Sequence, residues 1–195
     1  MIEIVEYQDN WPCDFQVLAS TLRQALGNYA LRIDHIGSTS VPGLAAKDCI
    51  DIQLTIAAFD NFEPIQTALE SLGYTVRSDV LRDHHPDHRQ VDQGTDPEWE
   101  KRYCYPPSGQ RPTHLHIRVN GRSNQRYAIL FRDYLRQHSD AAYTYAAFKR
   151  CLAQFLPDDS RYAYADIKDP VCDLIMQLAE KWAAETGWQP GPSDI

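Results

Sequence analysis

Apolar positions recur along the chain with two different periods. Phe15, Leu18, Leu22 and Leu26 fall three and four residues apart, the spacing of one helical stripe running from Trp11-Pro12 to about Leu26. Gly27-Asn28 closes that helix. Residues 61–72 repeat the pattern with Phe62, Ile65, Leu69 and Leu72, and Gly73 stops it. Between the two helices the period changes to two. Ile50, Ile52, Leu54 and Ile56 share one face of a strand over residues 49–56, which sends Asp51 and Gln53 to the other. Residues 113–119 behave alike, with Leu115, Ile117 and Val119 on one face and His114, His116 and Arg118 opposite. Further strands are predicted at 2–5, 31–36 and 74–76. Another at 99–105 pairs antiparallel with 113–119 across "PPSGQRP". Residues 82–100 are polar and without period, the mark of a loop. After Gly121 the chain reads as helices. One is capped by Ser123 and carries Tyr127, Leu130, Phe131, Tyr134 and Leu135; a second runs from Ser139-Asp140 to Pro157. The last starts at Asp169-Pro170, carries Leu174, Ile175, Leu178 and Trp182, and ends at Gly187.

This order predicts an α/β (α+β) fold: a mixed sheet flanked by helices over residues 1–121, a C-terminal helical lobe over 122–188, and a tail over 189–195. The composition, 43% hydrophobic and 24% charged, is that of a globular chain. No apolar run approaches the roughly 18 residues that span a bilayer, and "MIEIVEYQDNW" lacks the order of a signal peptide. Five cysteines (13, 49, 104, 151, 172) with no CxxC pair suggest neither a disulfide framework nor a zinc knuckle. A reduced cytoplasm is therefore the expected address. The net charge of −8 conceals an asymmetry, since residues 101–150 hold ten Lys/Arg against two acids. Such a segment reads either as a surface for a phosphorylated ligand or as cations paired with acids elsewhere in the fold. The overall acidity argues against nucleic acid as the partner.

The two polar ridges are the candidate chemistry. If strands 49–56 and 113–119 pair in one sheet, Asp51, Gln53, His114 and His116 converge, and a carboxylate with imidazoles suits a divalent cation. A glycine at the end of strand 31–36 lets backbone approach a ligand closely. At Gly37, the Ser38 and Thr39 hydroxyls and neighbouring N–H groups are then placed to hold a phosphate. Lys47, Arg102, Arg111, Lys149 and Lys168 are candidate partners for the phosphate charge. The cluster "HHPDH" at 84–88 reads as a solvated loop before it reads as a metal site.

A strand, Gly-Ser, twelve intervening residues and then Asp-x-polar on a second strand resembles the nucleotidyltransferase superfamily. More closely, "HIGSTSVPGLAAK" (35–47) resembles the signature of the GrpB family, a branch of that superfamily. Supporting matches are "HLH" (114–116), "FRDYLR" (131–136), Tyr145 with Lys149, and Tyr164 with Lys168. The resemblance implies a Gly-Ser turn that binds nucleotide phosphates and a carboxylate pair that holds Mg²⁺ or Mn²⁺. Two departures stand out: Gln53 occupies the second carboxylate position, and the strand expected to give a third acid offers His114 and His116. The implied ligand is a nucleotide or another phosphorylated small molecule. Asp51, Gln53, His114 and His116 are the candidate ligands of a divalent cation, Mg²⁺, Mn²⁺ or another metal bound through imidazole. His116 is alternatively a general base toward an acceptor hydroxyl. Two functional readings stay open: nucleotidyl or phosphoryl transfer, and a non-catalytic phosphate-binding or regulatory module that keeps the fold.

Overall fold

The computed structural model describes residues 2–86, 95–156 and 161–195. Among these, five helices and a five-stranded mixed sheet are formed. Helix α1 (Trp11–Leu26) buries Trp11, Phe15, Ala19, Leu22 and Leu26, the stripe the spacing predicts. Strands β1 (Arg32–Ile36) and β2 (Ile50–Ile56) follow, then α2 (Glu63–Ser71) and the short β3 (Thr75–Val76). Strands β4 (Arg102–Tyr105) and β5 (Thr113–Val119) complete the sheet. Its order is β1-β2-β5-β4-β3, with β2 and β5 parallel and the other neighbours antiparallel. Helices α3 (Ser123–Gln137), α4 (Ser139–Phe155) and α5 (Arg161–Thr186) close the chain.

One apolar cluster lies between the isoleucine face of the sheet and helices α1 and α2. It joins Ile33, Ile50, Ile52, Leu54, Leu115 and Ile117 to Phe15, Leu22 and Leu69. A second cluster gathers α3, α4 and α5 around Val41, Leu44 and Ala45 of the segment that follows β1. The segment that follows Gly37 thus links the two cores.

Several boundaries differ from the sequence reading. Residues 2–5 make only an isolated bridge, Val5 with Ala46, instead of a strand. Asp96 caps a 3₁₀ turn at Pro97–Trp99, its side chain accepting from the Glu98 N–H at 2.9 Å, and so delays β4 to Arg102. Ser123 is not a side-chain cap for α3. Its N–H and hydroxyl both reach the Glu98 carboxylate, at 2.8 and 2.9 Å, so the helix start is satisfied from outside. Helix α5 begins before Asp169-Pro170 and contains Pro170. Proline removes one helical hydrogen bond, and the turns before it are kept by tertiary contact, with Tyr164 buried beneath the Lys47 ammonium at 3.6 Å. The predicted helix stop at Pro157 lies outside the described residues. Residues 191–195 lie along the outer edge of β1. The Ser193 hydroxyl accepts from the Ile33 N–H (2.9 Å), and the Asp194 carboxylate accepts from the His35 N–H (2.8 Å). These side chains satisfy edge groups that would otherwise invite another strand.

Candidate active site

The parallel pairing of β2 with β5 sets Asp51 opposite His114 and Gln53 opposite His116. Asp51 Oδ1 accepts from His114 Nδ1 at 3.0 Å and lies 3.9 Å from His116 Nε2. The three side chains each offer a donor atom, and these atoms lie within 4.8 Å of one another. Burial works to raise the Asp51 carboxyl, but the His114 hydrogen bond and the charges of His114, His116 and Lys168 hold it below its usual range. Burial opposes a charge on His114 as well. Hydrogen bonds to Asp51 and to the Cys49 thiol outweigh it and push that imidazole up to about 10. His116 goes the other way, well below the ordinary histidine value, through burial and then the neighbouring Lys101 and Arg118 charges.

Gln53 is on the same sheet face yet points elsewhere. It is 0% exposed, its Oε1 accepts from Arg118 Nη1 (2.6 Å), and its Nε2 donates to the Gln125 carbonyl of α3 (3.1 Å). The expectation that Gln53 serves as a cation ligand is corrected here: the carboxamide is part of the bond between sheet and helix. A pair of Mg²⁺ ions wants several anionic oxygens, and this cluster offers one carboxylate and two imidazoles. The residues present do not fit that arrangement.

Beside Asp51 is the turn. Gly37 has φ +67° and ψ −169°, a conformation open essentially to glycine alone. A Cβ at this position would stand 2.2 Å from Asp51 Oδ2, so only glycine lets the turn touch the carboxylate. A 3₁₀ turn, Ser38–Ser40, follows. The Ser38 hydroxyl accepts from Lys149 Nζ at 2.7 Å, and the same ammonium donates to the Ala45 carbonyl at 2.6 Å. Thr39 is turned away from the cleft: it is buried, and its hydroxyl meets His35 Nε2 at 3.0 Å. His35 itself stacks on Phe15 with ring centroids 4.7 Å apart, and burial lowers it to about 4.

The cationic candidates divide. Lys149, on α4, is 3% exposed, and its pKa is lowered to about 7 by burial and then by repulsion from Lys168. Lys168, on α5, is half-buried yet raised, because Cys172, Asp169, Asp51 and Tyr164 overcome the desolvation penalty. Lys47 places its ammonium over the Tyr164 ring. Arg102 does not join. It lies opposite Ile117 on the apolar side of the sheet, pairs with Glu100 at 3.0 Å and covers Phe59. Arg111 pairs with Asp14 and Asp48 near the start of α1. His84 lies 2.8 Å from Asp173 of α5 and His85 3.7 Å from Asp96, while Asp87 and His88 lie outside the described residues.

The basic segment proves to be largely paired. Nine of its ten cations (Lys101, Arg102, Arg111, Arg118, Arg122, Arg126, Arg132, Arg136 and Arg150) have carboxylate partners within 4 Å. Among the described residues, Lys149 is the member that has none. Sequence reasoning missed the charge network that acts on His116: Asp83 accepts from Arg118, Lys101 and Asn124 at 2.8 to 3.0 Å. The Arg118 alternation gave a signal for it, whereas Asp83 lies in a polar loop and gave none. Tyr103, which packs 5.3 Å from His116 and 5.8 Å from His114, was likewise legible only once β4 and β5 were paired in register.

A mixed sheet carrying a Gly-Ser turn against the carboxylate of the next strand defines the class, a nucleotidyltransferase-like fold. Cid1, solved in complex with its short product ApU, shares that fold at TM-score 0.50 and 15% identity, over 80% of this chain and 45% of that one. The family model described as GrpB protein matches residues 1–178, and the chain belongs to the GrpB family. The crystal structure of GrpB from Enterococcus faecalis is similar at TM-score 0.67 and 29% identity, over 96% of this chain and all of that one. UPF0157 protein BH1888 of Halalkalibacterium halodurans is 35% identical over 91% of this chain and 82% of its own length. A protein named dephospho-CoA kinase in Mycolicibacterium paratuberculosis is 36% identical over 97% of this chain, which spans only 48% of that relative. Among the described residues no helix is long and apolar enough to cross a membrane.

Proposed function

We propose that this GrpB-family chain binds a nucleotide or another phosphorylated metabolite with its phosphates on the Gly37–Ser38 turn, and that the site serves nucleotidyl or phosphoryl transfer. The observation that carries the proposal is the buried Lys149. It holds the Ser38 hydroxyl, has no carboxylate partner among the described residues, and lies close enough to Lys168 to feel its charge. A buried ammonium without a counterion is costly. A phosphate on the turn supplies the missing anion and joins hydroxyl, ammonium and turn in one contact. The likeness to Cid1 supports the fold, and the ligand is argued from the site. A non-catalytic phosphate-binding role is the second reading, favoured by Gln53, which has a structural task where the superfamily resemblance implies a second metal-binding carboxylate.

The test is calorimetric titration with inorganic pyrophosphate and with ATP between pH 6 and 9. An anion beside Lys149 favours its charged form, so binding takes up a proton once pH exceeds about 7, the lowered value of Lys149 in the ligand-free protein. Affinity is expected to fall as pH rises from 7 to 9, by up to about tenfold per unit. Lys149→Met should weaken binding and remove most of that slope, and Ser38→Ala should weaken binding with an unchanged melting temperature. Binding that is insensitive to pH and unaltered in Lys149→Met would remove Lys149 from the ligand site and with it this reading.

A further inference from the structure

We propose that Asp51, His114 and His116 form a site for a single transition-metal ion of the zinc class rather than for magnesium. The argument starts from distances. Ions of this class bind imidazole nitrogen and carboxylate oxygen at about 2.0 to 2.2 Å, so neighbouring donors on one tetrahedral ion stand roughly 3.3 Å apart. Asp51 Oδ1 lies 3.0 Å from His114 Nδ1 and 3.9 Å from His116 Nε2, on either side of that separation. The pair at 3.9 Å is too far for a hydrogen bond. The donor atoms of all three residues nevertheless lie within 4.8 Å of one another.

The donor chemistry agrees. Two imidazoles and one carboxylate suit zinc, cobalt or iron, whereas magnesium favours oxygen donors and retains its waters. Each donor is also held in place. Gly37 lies directly against the Asp51 carboxylate, and the two imidazoles pack against Tyr103. The side chains of all three are part-exposed, so an ion can enter. Three protein ligands leave coordination open, as in sites that bind a substrate oxygen. What the ion does for a phosphorylated ligand rests on the reading of the Gly37–Ser38 turn; whether it binds does not.

Chelator-treated protein titrated with Co²⁺ gives the test, read by visible absorption and by metal content after gel filtration. The expected result is one Co²⁺ per chain with the intense bands of four- or five-coordinate geometry, displaced by Zn²⁺ and not by millimolar Mg²⁺. His116→Ala and Asp51→Asn should each weaken uptake by more than about 100-fold. Thermal melts of the chelated proteins show whether each variant is folded. The double variant His85→Ala/His88→Ala, which alters the other histidine-rich segment, should leave uptake unchanged. No uptake, uptake indifferent to His116→Ala in a folded variant, or equal competition by Mg²⁺ would overturn the proposal and leave His114 and Asp51 as an ion pair. Pyrophosphate titration in chelator separates the two inferences. Retained pyrophosphate binding with no cobalt site overturns the metal alone, and a cobalt site with no pyrophosphate binding overturns the phosphate turn alone.

Discussion

Gly37→Ala is expected to remove binding of phosphorylated ligands and to destabilise the fold by about 2 to 4 kcal/mol. Two separate effects add. The backbone at φ +67° and ψ −169° is strained for any residue with a Cβ, at roughly 1 to 3 kcal/mol. The new methyl would also meet Asp51 Oδ2 at 2.2 Å, Cγ at 2.8 Å and Cβ at 2.9 Å. Asp51 would have to shift, and its 3.0 Å bond to His114 would go with it. Gly43→Ala is the control: φ is +77° there too, but nothing lies within 4 Å of the new carbon. Denaturant melts of both variants should show the larger loss at residue 37, and only Gly37→Ala should abolish pyrophosphate binding. Equal losses and intact binding in both would mean the turn does not press on the carboxylate.

Asp83→Asn should produce the largest loss of stability, about 3 to 5 kcal/mol, because it leaves buried cations without their counterion. The carboxylate accepts from Arg118 through both oxygens, from Lys101 at 2.8 Å and from Asn124 at 3.0 Å, and both cations are almost wholly buried. Burial would raise Asp83, but the Arg118 and Lys101 charges prevail and hold it far below the carboxylate range. A carboxyl depressed in the folded state contributes stability that is complete above its unfolded value near 3.9 and is lost as pH falls below it. Wild type should therefore lose stability relative to Asp83→Asn as pH is lowered from 5 toward 2. Urea melts across that range measure it. A difference under 1 kcal/mol at pH 7 would show that Arg118 and Lys101 find other partners.

The sheet chemistry was legible because alternation fixes the face of every residue on a strand. Asp51, Gln53, His114, His116 and Arg118 were therefore assigned to the correct faces before any partner was known. Alternation says nothing about what covers a face. Gln53 has the pattern of a cleft residue, but α3, which follows β5 in the chain, closes over it through the Gln125 carbonyl. Arg102 was misassigned for a related reason: its face depends on the register of β4 against β5, which sets it opposite Ile117. Asp83 comes from an aperiodic polar loop, and its importance exists only through partners on β5, on α3 and at Lys101. The start of α5 was hidden by Pro170, a local stop signal overridden by packing around Tyr164. The charge asymmetry gave both of its answers at once. Nine cations pair within the fold, and the tenth, Lys149, reaches the Ser38 hydroxyl.

A crystal structure of the protein soaked with a non-hydrolysable ATP analogue, with and without Zn²⁺, tests the phosphate site most directly. Phosphate oxygens should lie within hydrogen-bond distance of the Ser38 hydroxyl and Lys149 Nζ, beside Asp51 and on the side where Gly37 has no Cβ. Phosphates bound elsewhere, with the Lys149–Ser38 contact unchanged, would contradict it.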